Sequence, residues 1–261
     1  MSSGKILFDG CSFTAASGFH TENQCVSHWP YLLSRHYQRQ FDNNAIGGSS
    51  NEEIFNRVVC ATASNSYDLV LVQWSELSRV WIYCATENID DFTIINYNDP
   101  IGYCADMPEV RQYAKLHYTY FNNVYVNLKK WLCQILALAG YFVSKNQPYV
   151  FIKGFENYIS KFNSINYNEG FENLNSTVKH LLDFNNRPDD YLLKKIKHIQ
   201  TLLFEVQKLH WVNFDSLSFF DSTIDLADDR CHPGPDSNKL LTDQLIFYCD
   251  KHYLLVHDKS I

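Results

Sequence analysis

Asp68-Leu69-Val70-Leu71-Val72-Gln73-Trp74 is the stretch that decides the fold. It is an almost unbroken apolar run, too short for a helix and rich in β-branched and aromatic residues. Such a run marks a strand buried on both faces, as in a parallel sheet covered by helices on either side. The flanking sequence supports this. Lys5–Asp9 predicts a first strand. The segment from Ser27 to Phe41 predicts a helix, with Trp29, Leu32, Leu33, His36 and Tyr37 at helical spacing and Pro30 in its first turn. Asn43–Ile46 predicts a short second strand. Asn51 to Ala63 predicts a helix capped by Ser50, with Glu53 three residues on as its capping-box partner. Strand and helix alternate, the pattern of a doubly wound α/β sheet.

Beyond the decisive strand, Ile82 to Val110 loses periodicity and predicts a long irregular excursion. Arg111 to Ala139 predicts one long helix, with apolar residues from Tyr113 to Leu138 recurring at three and four. Tyr149–Ile152 predicts a fourth strand, and Phe155 to Asn186 a polar-aromatic stretch of short helices and loops. Pro188 to Leu209 predicts a helix whose basic stretch, Lys194 to His198, is a solvated face. Trp211–Phe214 predicts a fifth strand and Pro235 to His252 the closing helix. No internal repeat is present. The 261 residues predict a single domain in which 82–210 forms an elaborated insertion around strand four.

In an open α/β sheet, sites form beyond the carboxyl ends of the strands. Ser12 follows strand one, Gly48 strand two and Ser75 strand three, while His232 comes after the last strand. Ser12 stands in Gly10-Cys11-Ser12-Phe13-Thr14, and His232 in Asp229-Arg230-Cys231-His232-Pro233-Gly234. A serine hydroxyl is a poor nucleophile until a base takes its proton, and the base needs a carboxylate to fix its tautomer. Ser12 is therefore the candidate nucleophile, His232 the candidate base and Asp229 its orienter, with Asp228 competing by adjacency.

These residues resemble the SGNH (GDSL-type) hydrolase superfamily. Gly10-Cys11-Ser12 matches its nucleophile block with Cys11 in place of the usual aspartate, and Asp229 with His232 matches its terminal Asp-x-x-His. Asn44 to Asn51 holds the second-block glycine, Gly48 being the better match than Gly47. The third block lacks its asparagine: the chain reads Gln73-Trp74-Ser75-Glu76-Leu77. The resemblance covers roughly the first 80 and last 60 residues, in the family's order. It implies a flavodoxin-like three-layer α/β sandwich with a central, mostly parallel five-stranded sheet. It also implies ester hydrolysis through an acyl-enzyme, with removal of small acyl groups from carbohydrate the leading substrate class. Ser12 and Gly48 would supply backbone donors for the oxyanion. Ser75, Ser78 or Asn51 would stand in for the absent asparagine, and Arg79 would suit an anionic substrate. Trp74, Trp81 and Tyr83 are candidates for an acceptor wall. The alternatives are a binding or accessory protein on the same fold, favoured by the altered first and third blocks, and hydrolysis of a phosphate or nucleotide ester.

Composition narrows the partners. Hydrophobic residues make up 46% of the chain, enough for a large core, and the net charge of −7 argues against a broad nucleic-acid face. The most apolar run, Trp131 to Val143, falls short of the ~20 residues a membrane span requires. No basic, apolar leader opens the sequence, so a cytoplasmic protein with free thiols is expected. The eight cysteines form no C-x-x-C pair. Zinc ligation by Cys11, Cys231, His232 and Asp229 is the weaker reading, because their spacing matches no zinc motif; neither metal nor cofactor is expected. The Asn, Tyr, Phe and Ile bias fits an AT-rich genome, a phage among the candidates.

Overall fold

The computed structural model describes residues 4–19, 25–83, 92–95, 100–102, 107–156 and 189–255. Four parallel strands form the main sheet: β1 (Lys5–Asp9), β2 (Gln40–Asn43), β3 (Leu69–Trp74) and β7 (Tyr149–Lys153), in the order β2-β1-β3-β7. Every residue of β3 is buried, as a central strand covered on both faces requires. The alternation of side chains sorts the core. Ile6, Phe8, Leu69, Leu71, Val150 and Ile152 share one face with Trp29, Leu33 and Tyr37 of α1 (Trp29–Tyr37) and with Leu241, Leu245 and Cys249 of the last helix, α6 (Pro235–Lys251). The opposite face takes Leu7, Val70, Val72, Trp74 and Phe151. There α2 (Asn51–Ser64) lies over β1 and β3, and Phe142 stands beside Phe151.

Local chemistry sets the boundaries. Helix α1 ends at Gln38, which takes φ 54° and whose N–H bonds the Arg35 carbonyl, so the chain turns straight into β2. That early turn starts β2 at Gln40, three residues before the predicted strand. Helix α2 opens on the predicted cap: the Glu53 N–H donates to Ser50 Oγ at 3.2 Å. Polar residues Ser237, Asn238 and Thr242 share the buried side of α6 with Leu241 and Leu245, while Leu240 is exposed.

The predicted fifth strand is not formed; the sheet has four strands. Trp211 makes a single parallel bridge to Phe151, with Phe151 N–H donating to His210 O and Val212 N–H to Phe151 O. The ladder then passes to a side chain. Asn213 Oδ1 accepts from Lys153 N at 2.7 Å, and Asn213 Nδ2 donates to Lys153 O at 3.0 Å. The Asn213 amide thus does what a next strand residue would do, and the backbone is free to bend. The buried Lys153 ammonium holds that bend by donating to Phe214 O and Ser216 O.

The chain clusters into two compact units. The first contains 1–75, 138–155 and 210–261, with the parallel sheet; the second contains 76–137 and 156–209. Within the second, the stretch expected to be irregular holds a small antiparallel sheet of β4 (Val80–Tyr83), β5 (Phe92–Ile95) and β6 (Pro100–Gly102). Its β-branched and aromatic residues, scattered among Asn and Asp, conceal three short strands. The predicted long helix is broken into α3 (Pro108–Leu116), a π-helical turn (His117–Phe121) and α4 (Val124–Ser144). Asn122 is extended, and Asn123 Oδ1 accepts from Val126 N–H, a new cap that restarts the helix. Helix α5 (Asp189–Val206) buries Ile196, Ile199, Leu203 and Val206, while the Lys195 ammonium lies over the Tyr125 and Tyr191 rings. Most of the polar-aromatic stretch Phe155–Asn186 lies outside the described residues. No helix among the described residues is long and apolar enough to cross a membrane.

If the Asn213 amide closes the sheet, Asn213→Ala removes the acceptor of the buried Lys153 N–H, while Lys153 O keeps the Phe219 N–H. The expected loss is about 1–3 kcal/mol, read as a lower urea midpoint at unchanged slope. An unchanged midpoint would refute the assignment.

Candidate active site

Strand β1 ends in a turn that presents Ser12. Thr14 N–H and Ala15 N–H both donate to Cys11 O at 3.0 Å, and Ser17 N–H donates to Ser12 O at 3.2 Å. Gly10 permits the turn to lie flat on β3: a Cβ there would stand 2.5 Å from Thr14 Oγ1 and 3.0 Å from Gln73 Cβ. Cys11 is fully buried and points at β3, with Gln73 Nε2 3.6 Å from its sulfur, while Thr14 Oγ1 donates to Gln73 Oε1 at 2.5 Å. Ser12 retains 8% of its surface.

The terminal block brings its carboxylate and imidazole together. Asp229 Oδ1 accepts from the N–H groups of Cys231 (2.9 Å) and His232 (3.0 Å), closing a tight turn in which Arg230 takes φ 58°. Asp229 Oδ2 lies 2.5 Å from His232 Nδ1. Of the two neighbouring aspartates, Asp229 is the one that meets the imidazole; Asp228 is exposed. A carboxylate on Nδ1 leaves Nε2 as the nitrogen that can take a proton. Partial burial works to raise the Asp229 pKa, but the donors on Cys231 and His232 outweigh it and hold it at about 2.

The structure brings the two chain ends together in the first unit. The Phe13 ring, next to Ser12, meets the His232 ring edge-on at 5.7 Å. Gly18, at φ 87°, lies so close to Asp229 that a Cβ would stand 2.8 Å from Oδ2. Phe13 also stacks on Phe155 at 5.1 Å and on Phe220 at 5.9 Å, and Phe220 is 49% exposed. The second-block loop arrives from β2: a Cβ on Gly47 would lie 3.9 Å from Ser12 Cβ, while Gly48 takes φ 82°.

The remaining candidates fall elsewhere. Asn51 Oδ1 accepts from Ser75 N–H at 2.7 Å, and Asn51 Nδ2 donates to Ser75 O at 3.1 Å. This reciprocal pair takes up the Ser75 N–H and ties α2 to the end of β3. Trp74 is fully buried against Phe151 at 5.7 Å, so it is core and not a substrate surface. Ser78 and Arg79 belong to the second unit, where Ser78 O accepts from Tyr118 and Arg79 Nε lies 3.9 Å from Glu76. The side chains of Trp81 and Tyr83 lie outside the described set.

Several supporting residues carried no signal in the sequence. Buried His28 Nε2 and Trp29 Nε1 both bond Phe13 O, at 2.9 and 3.0 Å. A carbonyl can only accept, so His28 Nε2 carries a proton there, and burial lowers the His28 pKa to about 4. Asn238 accepts from Trp29 N–H and donates to Pro233 O and Gly234 O. Asp225 caps α6 through the N–H groups of Asp236 and Ser237. Asp9, fully buried, meets Arg57 of α2 at 2.6 Å. Burial raises the Asp9 pKa to about 6 against the pull of Arg57.

No protein-family model matches the chain, and no curated protein matches it in sequence. Among solved structures it is similar to a protein described as lipolytic and of the G-D-S-L family from Desulfitobacterium hafniense DCB-2. That match has 10% identity and TM-score 0.47, covering 94% of this chain and 99% of the other. It is also similar to the psychrotrophic esterase EstA from Pseudoalteromonas sp., with 15% identity and TM-score 0.47, covering 96% and 98%. A third is the acetyl xylan esterase AlAXEase, with 14% identity and TM-score 0.46, covering 93% and 98%. Such likenesses concern the fold; the chemistry rests on this chain's own residues.

Two buried groups near the site oppose each other in pH. His28, lowered to about 4, contributes stability above pH ~6.5 that is lost as pH falls toward 4. Asp9, raised to about 6, contributes stability below pH ~3.9 that is lost as pH rises through 6. Over the shared window the two slopes counteract each other. His28→Gln is expected to shift the slope of stability against pH toward decline with rising pH, and Asp9→Asn toward increase. Urea midpoints measured across pH 4 to 6.5 check this, and an equal slope in both variants would refute it.

Proposed function

We propose that this protein is a serine ester hydrolase of the SGNH type. Ser12 Oγ attacks the ester carbonyl, and its proton passes to His232 Nε2. The tetrahedral intermediate collapses as His232 returns that proton to the leaving alcohol, giving an acyl-Ser12 enzyme. Water, deprotonated by the same nitrogen, then attacks the acyl carbon, releases the acid and restores Ser12. The observation that carries the reading is the Asp229–His232 pair at 2.5 Å, held beside the nucleophile turn by the Phe13 contact. Asp229 is ionised throughout the neutral range, so it fixes the tautomer and stabilises the imidazolium that forms. Backbone N–H groups of Ser12 and the Gly47-Gly48 loop are the proposed oxyanion donors. The half-exposed Phe220, stacked on Phe13, offers an apolar wall for a small acyl group. An acyl ester of a small molecule or carbohydrate is the proposed substrate class.

A second reading, a binding protein on this fold, is favoured by one observation. The third block lacks the asparagine, and the stand-in Asn51 is engaged with the Ser75 backbone through both its oxygen and its nitrogen. A missing oxyanion donor costs about 10²–10³ in rate.

Labelling with a fluorophosphonate decides between them. Wild type is expected to label at one residue, and Ser12→Ala to abolish labelling. His232→Ala should slow it by about 10²–10⁴-fold, with p-nitrophenyl acetate hydrolysis falling in parallel. No labelling of folded wild type would refute the hydrolase reading in favour of binding.

A further inference from the structure

Arg57 is 18% exposed and spends all five of its N–H donors inside the protein. Nε donates to Asp9 Oδ2 at 3.2 Å, and Nη2 to Asp9 Oδ1 at 2.6 Å. The second Nη2 hydrogen reaches Gly10 O at 3.0 Å. Nη1 reaches Ser49 Oγ at 3.0 Å and Glu53 Oε1 at 2.8 Å. An arginine used only for ion pairing would need the carboxylates alone. Two of these five bonds go instead to the loops that carry the proposed oxyanion donors, one residue before Cys11-Ser12 and one residue after Gly48.

We infer that Arg57 is the positioning residue of this site: its guanidinium, seated on the buried Asp9 and Glu53 carboxylates, ties the Gly10 carbonyl of the nucleophile turn to the Ser49 hydroxyl of the second loop. The inference rests on the serine hydrolase reading and deepens it. The tie sets the gap between Ser12 and Gly47, where a Cβ on Gly47 would stand 3.9 Å from Ser12 Cβ. Ser49 passes the constraint on, because its hydroxyl also donates to Ile46 O at 2.8 Å and its N–H donates to the same carbonyl. The charged groups facing Arg57 are Asp9 from β1 and Glu53 from its own helix, and the burial of both carboxylates raises their pKa values. The fork is needed as well as the charge. Lysine has three donors on one atom and cannot span Asp9, Gly10 and Ser49 together. An oxyanion hole misplaced by about 1 Å costs on the order of 10²-fold in rate, so the clamp has catalytic weight without touching substrate.

The test uses Arg57→Lys and Ser49→Ala in the full chain, with fluorophosphonate labelling, p-nitrophenyl acetate kinetics and hydrogen exchange. Arg57→Lys is expected to keep the fold, slow labelling by about 10–100-fold and lower kcat with KM unchanged. Exchange should quicken together in residues 10–17 and 45–50. Ser49→Ala, which leaves the ion pairs intact, should show the same pattern more weakly, and it decides the matter should Arg57→Lys not fold. Labelling at the wild-type rate in a folded Arg57→Lys or in Ser49→Ala overturns the inference. Absence of labelling in wild type defeats the hydrolase reading instead; coupled exchange of the two loops would then still support the clamp, and uncoupled exchange would overturn it.

Discussion

One buried amide joins the two ends of this protein. Asn238 of α6 accepts from the Trp29 N–H at the start of α1 and donates to the carbonyls of Pro233 and Gly234, directly after His232. Trp29 in turn holds Phe13 O through its indole N–H. Hydrogen bonds thus link the Ser12 turn, through α1 and α6, to the carbonyls that follow His232. Each link is buried, so breaking one strands a polar group at a cost of about 1–3 kcal/mol. The contact between α1 and α6 therefore has two consequences. It closes one face of the sheet, and it sets where His232 stands relative to Phe13.

The two halves of the proposed triad differ in physical origin. Asp229 and His232 lie three residues apart, and their geometry comes from a turn in which one carboxylate oxygen caps two backbone N–H groups while the other meets the imidazole. That arrangement is local and needs little from the rest of the fold. Ser12 is placed by tertiary contacts: the close approach of Gly10 to Gln73, the burial of Cys11 and the clamp of Phe13 O. Cys11 is consistent with this. Its side chain is fully buried against Gln73.

The legible parts of the sequence were those governed by short-range chemistry. The apolar run Leu69–Trp74 and the Ser50–Glu53 cap each encode their structure within a few residues, and each formed as read; Asp229 and His232, three residues apart, meet through a local turn. The losses came where a side chain replaced backbone or where two weak signals competed. Asn213 reads as an ordinary strand or loop residue, and only the structure shows its amide completing the ladder on Lys153. Asn122 and Asn123 sit inside a helical period that continues on both sides, yet their side chains break it. Trp74 looked available as an aromatic wall because periodicity cannot say which face of a doubly covered strand meets solvent; neither does. Arg57 was invisible because its partners, Asp9 and Ser49, are 48 and eight residues away.

The altered third block follows from the same geometry. Asn51, at the first position of α2, reaches across to close on the backbone of Ser75, so its amide fastens the helix to the end of β3. That tie holds the carboxyl end of a central strand. The oxyanion donors of the proposed mechanism are backbone N–H groups of two loops, and backbone donors stabilise charge only as well as their loops are held. On the hydrolase proposal, preorganisation falls to whatever fixes those loops: Gly10 against β3, Ser49 against Ile46, and the guanidinium that touches both segments.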